Sequence, residues 1–142
     1  MDDGNTGINL EVAGDQLTHR VIGCAIRVHR TLGCVLLESA YEEFFCHDLV
    51  AEGLSIVRQG ALPVSYRGRR VELAYKPDLV INNELIVEVK TVAKLLPVHD
   101  AQLLTYLRLS GVTRGLLINF HAHPLRSGIR RLALSRQERS SP

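Results

Sequence analysis

The stretch from Asp78 to Lys90, DLVINNELIVEVK, holds the side chains best suited to chemistry. Two short apolar runs flank the turn-forming pair Asn82-Asn83, and this pattern predicts a β-hairpin. Because side chains alternate along a strand, Glu88 and Lys90 share one face of the second strand, and Asp78 enters from the first. Two carboxylates and one ammonium group then meet at one point, which we interpret as a candidate active site.

The pairing register of this hairpin decides whether that site exists. A two-residue loop at Asn82-Asn83 would place the Asp78 and Glu88 carboxylates on opposite faces of the sheet. A three-residue loop that includes Glu84, or one β-bulge, sets Asp78 opposite Glu88. Asparagine tolerates the left-handed backbone conformation that such loops require, so we predict the second register.

Adjacent carboxylates from Asp78 and Glu88 repel each other, so they need a cation or a shared proton. Mg²⁺ or Mn²⁺ suits carboxylate oxygens and takes further ligands from a substrate phosphate. Such an ion lowers the pKa of a bound water, and Lys90 would contact the scissile phosphate or orient that water. These roles describe metal-assisted phosphodiester hydrolysis. The competing interpretation is a solvated Glu88–Lys90 ion pair on the wet face of an edge hairpin.

Bulk properties place the chain among ordinary globular proteins. Its 142 residues, 46% hydrophobic and 23% charged, suffice for one domain with a core. It shows neither a membrane-length apolar run nor a signal peptide, so we expect no membrane association. Cys24, Cys34 and Cys46 are odd in number and scattered, which is typical of reduced thiols in a cytoplasmic protein rather than of disulfides or a zinc site.

The formal net charge of +2 is unevenly distributed along the chain. Residues 1–71 carry seven basic and nine acidic side chains (−2), and residues 72–142 carry ten and six (+4). This asymmetry permits contact with a phosphate backbone but argues for it only weakly. Six arginines would bind phosphates if they shared a face, although a solvated rim is an equal alternative: Arg67, Arg69, Arg70, Arg126, Arg130 and Arg131.

Periodic apolar residues predict three helices. After a flexible arm over residues 1–14, the first helix begins at Asp15 as a plausible N-cap and ends at Gly33, where a C-cap glycine belongs. The second is expected over residues 37–52, and the third over residues 99–110, between Pro97 and Gly111.

Apolar runs bounded by turn residues predict the strands. One covers residues 54–58, a hairpin joins 62–66 to 69–75, and after the central hairpin come a buried strand at 115–120 and an edge strand at 129–134. The order predicts one α/β (α+β) domain over residues 15–134, a mixed sheet flanked by helices, followed by a flexible tail at 135–142. The edge strand offers a surface for a homodimer.

Several other polar residues admit two interpretations. Glu38 falls on the apolar stripe of the second helix, which includes Phe44, and spacing alone favours an acid attracted by the helix dipole over one aimed at the hairpin. His121 and His123 are spaced to meet one metal, although such a loop is more often solvated. His29 is interpreted as a packed core histidine or as a group supporting the site. His99 precedes a helix and is interpreted as a cap.

Across residues 17–134 the sequence resembles the GxxExxY family of the PD-(D/E)XK nuclease superfamily. Glu38 and Tyr41 match the name-giving motif after Gly33, whereas Cys34-Val35 stand where relatives carry a second glycine-bearing segment. The segments that carry the resemblance are VHRTLG (28–33), LGCVLLESAYEE (32–43), RQGALPVSYRG (58–68), DLVINNELIVEVK (78–90), PVHDAQLLTYL (97–107) and GLLINF (115–120).

The resemblance implies a restriction-endonuclease-like core and a specific set of site residues. Asp78, Glu88 and Lys90 correspond to the Asp and Glu-x-Lys of the superfamily, Glu38 to a helix acid near the metal, and Gln102 to a polar residue on the following helix. The leading expectation is a Mg²⁺- or Mn²⁺-dependent nuclease, acting on DNA rather than RNA. The alternative is a catalytically inactive nuclease-fold module that binds nucleic acid or a partner protein.

Overall fold

A computed structural model describes residues 3–61, 64–71 and 76–135, with side chains from Gln16 onward except at Val64. The elements follow the predicted order of two helices, a group of strands, a helix and two strands. They are α1 (Asp3–Leu32), α2 (Glu38–Ala51), β1 (Ile56–Arg58), β2 (Val64–Tyr66), β3 (Arg69–Val71), β4 (Leu79–Ile81), β5 (Leu85–Lys90), α3 (Pro97–Ser110), β6 (Arg114–Asn119), a short 3₁₀ helix (Leu125–Gly128) and β7 (Ile129–Ala133).

Five strands form one mixed sheet in the order β1-β4-β5-β6-β7, which confirms the predicted α/β fold class. Neighbouring strands are antiparallel except β5 and β6, which are parallel and are joined through α3. Such a pair needs a crossover connection, and α3 provides it. β2 and β3 form a separate antiparallel hairpin. β7 lies at a sheet edge, as predicted, and its use in a homodimer stays a prediction.

Two apolar layers cover the two faces of the sheet. Alternation along β5 sends Leu85, Val87 and Val89 into a core shared with α1 and α2, and sends Ile86 into a second core shared with α3. The first five residues of β5 are therefore buried on both sides, which explains why the strand reads as a continuous apolar run broken only by Glu88.

The helix α1 buries the stripe that periodicity predicts, with Val21, Ile22, Ala25 and Val28 all at most 5% exposed. It begins at Asp3, so the described part of the predicted arm over residues 1–14 is helical rather than irregular. The assignment of mobility to this arm and to the tail stays a prediction, and residues 136–142 lie outside the described part.

The helix α2 buries three of the four residues expected on its apolar stripe, namely Tyr41, Phe45 and Leu49, whereas Phe44 is 52% exposed. The expectation for Phe44 was wrong because the buried face of the helix is turned toward Glu42 and Cys46 instead. Glu42 is only 7% exposed, and its ion pair with Arg58 on β1 makes that carboxylate tolerable inside. In the part of the chain that is described, no helix is both long and apolar enough to cross a membrane.

Candidate active site

The turn of the central hairpin is built from two asparagines in the left-handed conformation. Asn82 and Asn83 have φ angles of 53° and 55°, and the Glu84 amide donates to the Ile81 carbonyl at 2.9 Å. The Asn82 side chain also accepts the Ser55 amide at 2.8 Å, and the Asn82 amide donates back to the Ser55 carbonyl. These bonds anchor the loop to the segment before β1 and fix its length at three residues.

The resulting register is the one that the sequence predicts. Leu79 pairs with Val87 and Ile81 with Leu85, so the next step along the ladder sets Asp78 opposite Glu88. Both acids are buried, at 5% and 2% exposure.

Each of these acids receives a backbone amide from the strand opposite. The Asp78 amide donates to Glu88 Oε2 at 2.8 Å, and the Val89 amide donates to Asp78 Oδ2 at 2.8 Å. The strands β4 and β5 are thus connected at this point by the two carboxylates. Amides that would otherwise be buried without partners are satisfied, and both side chains are held in one orientation.

Gln59 holds the Asp78 carboxylate from the other side. Its Nε2 donates to Asp78 Oδ1 at 2.9 Å, and its backbone amide donates to the Asp78 carbonyl at 3.0 Å. Gln59 has a φ of 50°, which an L-residue adopts at a cost. Sequence reasoning missed this residue; the match RQGALPVSYRG includes it, but no motif assigned it a role.

A half-buried ion pair lies next to Gln59. Arg58 donates to Glu42 Oε2 at 3.1 Å and to the exposed Glu43 Oε1 at 3.2 Å. Burial raises the pKa of Glu42 and the negative charge of Asp78 raises it further, while the hydrogen bonds from Arg58 and Gln59 oppose these effects. Glu42 therefore belongs to the same electrostatic neighbourhood as Asp78, and it too was missed in the sequence.

Glu38, the first residue of α2, is influenced by the same acids. Glu38 is an exposed residue. Desolvation of its carboxyl nevertheless raises its pKa, the charge of Asp78 raises it further, and the Lys90 ammonium lowers it. The loop before it is held by Tyr41, whose hydroxyl donates to the Gly33 carbonyl at 2.6 Å and accepts the Leu36 amide at 3.0 Å. Glu38 is thus brought toward the hairpin.

Lys90 ends β5 and is half-buried, with its carbonyl accepting the Phe120 amide at 2.9 Å. On α3, burial raises the pKa of Tyr106 to about 12, the charge of Glu88 adds to this, and a hydrogen bond from Gln102 opposes it. Gln102 is exposed and hydrogen-bonds Tyr106, whose pKa is influenced by the charges of Glu88 and Asp78. Asp78, Glu88 and Lys90 therefore lie together at the end of the hairpin, and the roles of Glu38 and Gln102 stay predictions.

The donor set suits a hard divalent cation. The two most buried acids supply carboxylate oxygens, the ligands that Mg²⁺ and Mn²⁺ prefer. Among the residues described, no lysine or arginine forms an ion pair with Asp78, whose carboxylate is held by neutral amides. Within those same residues, no three His, Cys, Asp or Glu side chains are grouped closely enough to hold a metal by themselves. The assignment of Glu38 as a third ligand stays a prediction.

The histidines fall into different environments. His121 Nε2 lies 2.7 Å from the Leu36 carbonyl, while His123 faces His29 across a cavity, so the two residues of the His-x-His pair have separate contacts. His99 is the third residue of α3 rather than a residue before it, so its predicted position was wrong, but its Nδ1 accepts the Leu96 amide at 2.9 Å and caps the helix from within.

The six arginines have different surroundings. Arg130 forms an ion pair with Asp100 on α3, and Arg67 lies over the ring of its neighbour Tyr66. Arg126 lines a cavity at the end of α1. The expected common phosphate-binding face therefore does not include all six.

A comparison with protein families gives one match. The model described as the PD-(D/E)XK nuclease superfamily matches residues 15–132. No curated protein and no solved structure matches the chain significantly.

Proposed function

Because the chain belongs to the PD-(D/E)XK nuclease superfamily, we propose that it is a divalent-metal-dependent nuclease that hydrolyses phosphodiester bonds, in DNA rather than RNA. Within the superfamily we assign it to the GxxExxY family, on the strength of Glu38 and Tyr41. The observation that carries the proposal is the buried pair of Asp78 and Glu88, set opposite each other with Lys90 one pleat further along.

Each residue has a role that follows from its surroundings. Asp78 and Glu88 would hold Mg²⁺ or Mn²⁺, which supplies Lewis acidity at a phosphate oxygen and an acidified water. Glu38 supports this group from α2. Lys90 contacts the scissile phosphate or orients the attacking water, since within the described ranges no carboxylate forms an ion pair with its ammonium. Gln102 assists through Tyr106.

The test is cleavage of supercoiled plasmid and of labelled single strands with Mg²⁺ or Mn²⁺. Glu88→Gln removes a metal ligand and Lys90→Ala removes the phosphate contact, so each should reduce the rate by at least about a hundredfold. Two matched controls remove a carboxylate and an ammonium group from nearby exposed residues, through Glu84→Gln and Lys94→Ala. Both variants should cut like wild type.

Three outcomes separate the hypotheses. Metal-dependent cutting that is lost in Glu88→Gln and Lys90→Ala alone supports the nuclease. Equal cutting by every variant would reveal a contaminant or another site and would refute the assignment. Binding of nucleic acid without cutting by the wild type would favour the inactive binding module.

A further inference from the structure

A cavity of about 520 Å³ lies between the end of α1 and the turn that leads into the 3₁₀ helix. Four of its lining residues are arginines or histidines, and of the described residues that line it none is acidic. We call it the His–Arg cavity, and these four residues are His29, Arg30, His123 and Arg126.

The positive charge of the two arginines in this cavity is not neutralised by the residues that the structure describes. Arg27, one turn earlier on α1, forms an ion pair with Glu52. The guanidinium groups of Arg30 and Arg126, by contrast, are on exposed residues and make no ion pair or hydrogen bond within the described part of the chain. Two free guanidinium groups around a concave surface favour an anion with several acceptor oxygens.

The rest of the lining is suited to an apolar or aromatic body. Ile26 and Leu125 contribute aliphatic walls. The imidazole rings of His29 and His123 stack on each other, with centroids 6.2 Å apart and planes within 24° of parallel, and the pair forms an aromatic surface of the kind against which an unpaired base packs. A nucleotide combines the two properties, since its phosphate matches the arginines and its base matches the rings.

Two short chain segments connect the cavity to the neighbourhood of the acid pair. The Phe120 amide donates to the Lys90 carbonyl, and three residues, at most about 11 Å of chain, separate Phe120 from His123. On the other side, the loop that begins at Gly33 in the cavity wall leads directly to Glu38. A strand with its scissile phosphate at Lys90 therefore has a nucleotide a few positions along within reach of the cavity.

We propose that the His–Arg cavity binds one unpaired nucleotide of the substrate strand, with its phosphate on Arg30 and Arg126 and its base against His29 and His123. This inference rests on the proposed nuclease function, because it assigns a subsite of that same substrate. The cavity selects single-stranded or frayed nucleic acid, since a base held in a duplex cannot enter it.

Cys34 provides a reporter inside the cavity. It lines the wall and is part exposed, whereas Cys24 and Cys46 are buried. Burial also raises the pKa of Cys46 to about 11, so that Cys34 is the thiol expected to react with a disulfide reagent such as DTNB. In the uncut complex of Glu88→Gln with a single-stranded oligodeoxynucleotide, we expect saturation to slow the Cys34 reaction at least tenfold, roughly the effect of filling its access path.

Arginine substitutions test the phosphate contact independently. Arg30→Ala/Arg126→Ala should weaken binding at least about tenfold in fluorescence anisotropy. It should also lower the slope of log affinity against log salt by about 0.7 for each phosphate that the protein no longer neutralises. Arg20→Ala/Arg27→Ala is the matched control, because it removes the same charge from the Glu52-facing side of α1 and should leave both quantities unchanged.

The outcomes distinguish this subsite from the nuclease function itself. If the wild type cuts single strands while Cys34 reactivity is unaffected by the oligonucleotide, or while Arg30→Ala/Arg126→Ala binds normally, the subsite is refuted and the nuclease stands. Protection of Cys34 without any cutting would support the subsite and refute the nuclease. A wild type that neither binds nor cuts would overturn both.

Discussion

Removal of the Gln59 side chain should weaken metal binding at Asp78 without removing a ligand. Gln59 Nε2 donates to Asp78 Oδ1 at 2.9 Å, and that carboxylate is 5% exposed. Without this bond the carboxylate is free to rotate, so part of the binding free energy must be used to orient it.

The expected change in the Kd for Mn²⁺ follows from the strength of one hydrogen bond to a charged group. A hydrogen bond to a charged group contributes about 1.5–3 kcal/mol, and about 1.4 kcal/mol corresponds to a factor of ten in an equilibrium constant. Substitutions of groups that orient metal ligands typically reduce metal affinity roughly 10–100-fold. Gln59→Ala should therefore raise the Kd for Mn²⁺ by about one to two orders of magnitude.

The backbone at this position allows the side-chain effect to be isolated. Because Gln59 has a φ of 50°, alanine keeps a left-handed strain of about 1–2 kcal/mol that glycine removes. Gln59→Gly should thus lose as much Mn²⁺ affinity as Gln59→Ala while being the more stable of the two. Gln16→Ala, which changes an exposed glutamine on α1, is the control.

The assay is calorimetric titration with Mn²⁺ in the absence of nucleic acid, together with the Mg²⁺ concentration that gives half-maximal cleavage. Asp78→Asn defines complete loss of the site. If Asp78→Asn abolishes Mn²⁺ binding while both Gln59 variants keep the wild-type Kd within twofold, the positioning argument is wrong.

Two further predictions concern the supports of the site. Arg58→Ala leaves the Glu42 carboxylate buried without its guanidinium, so the free energy of unfolding in urea should fall by about 1–2 kcal/mol at neutral pH. Because the pKa of Glu42 is raised in the folded state, this loss is present above that pKa, should shrink as the pH falls through it, and should largely vanish in Arg58→Ala/Glu42→Gln. Tyr41→Phe removes both hydroxyl bonds to the loop; amide hydrogen exchange over residues 33–37 should accelerate, whereas Tyr66→Phe, at an exposed position, should change nothing.

The central hairpin was predictable because its determinants are local. The pair Asn82-Asn83 favours the left-handed backbone conformations that a three-residue loop requires, and the length of that loop sets the register. That register alone brings Asp78 opposite Glu88. The centre of the site and the order of the elements around it were therefore predictable from the sequence.

The supporting shell was not predictable because its contacts are distant along the chain. Gln59 and Asp78 are separated by 19 positions, and nothing in the type or spacing of a glutamine after β1 indicates its partner. Hydrophobicity ranks Phe44 above Glu42 for burial, but the rotation of α2 about its axis turns Glu42 inward, where Arg58 on β1 pairs with it. Pairwise contacts of this kind arise from tertiary packing, and the hydrophobic periodicity of a single sequence does not reveal them.

The hydrogen bonds that the Asp78 and Glu88 carboxylates accept across the hairpin also affect how this protein can evolve. Each acid satisfies a backbone amide of the opposite strand, so replacing either one by a residue without an acceptor oxygen creates a folding defect as well as a chemical one. A descendant that had lost its activity would still be selected to keep both acids. Lys90 has no such constraint, since its ammonium makes no hydrogen bond with the described residues. Substitution of Lys90 is therefore expected in homologues that have lost activity, and lysine is expected to be retained at this position in active ones.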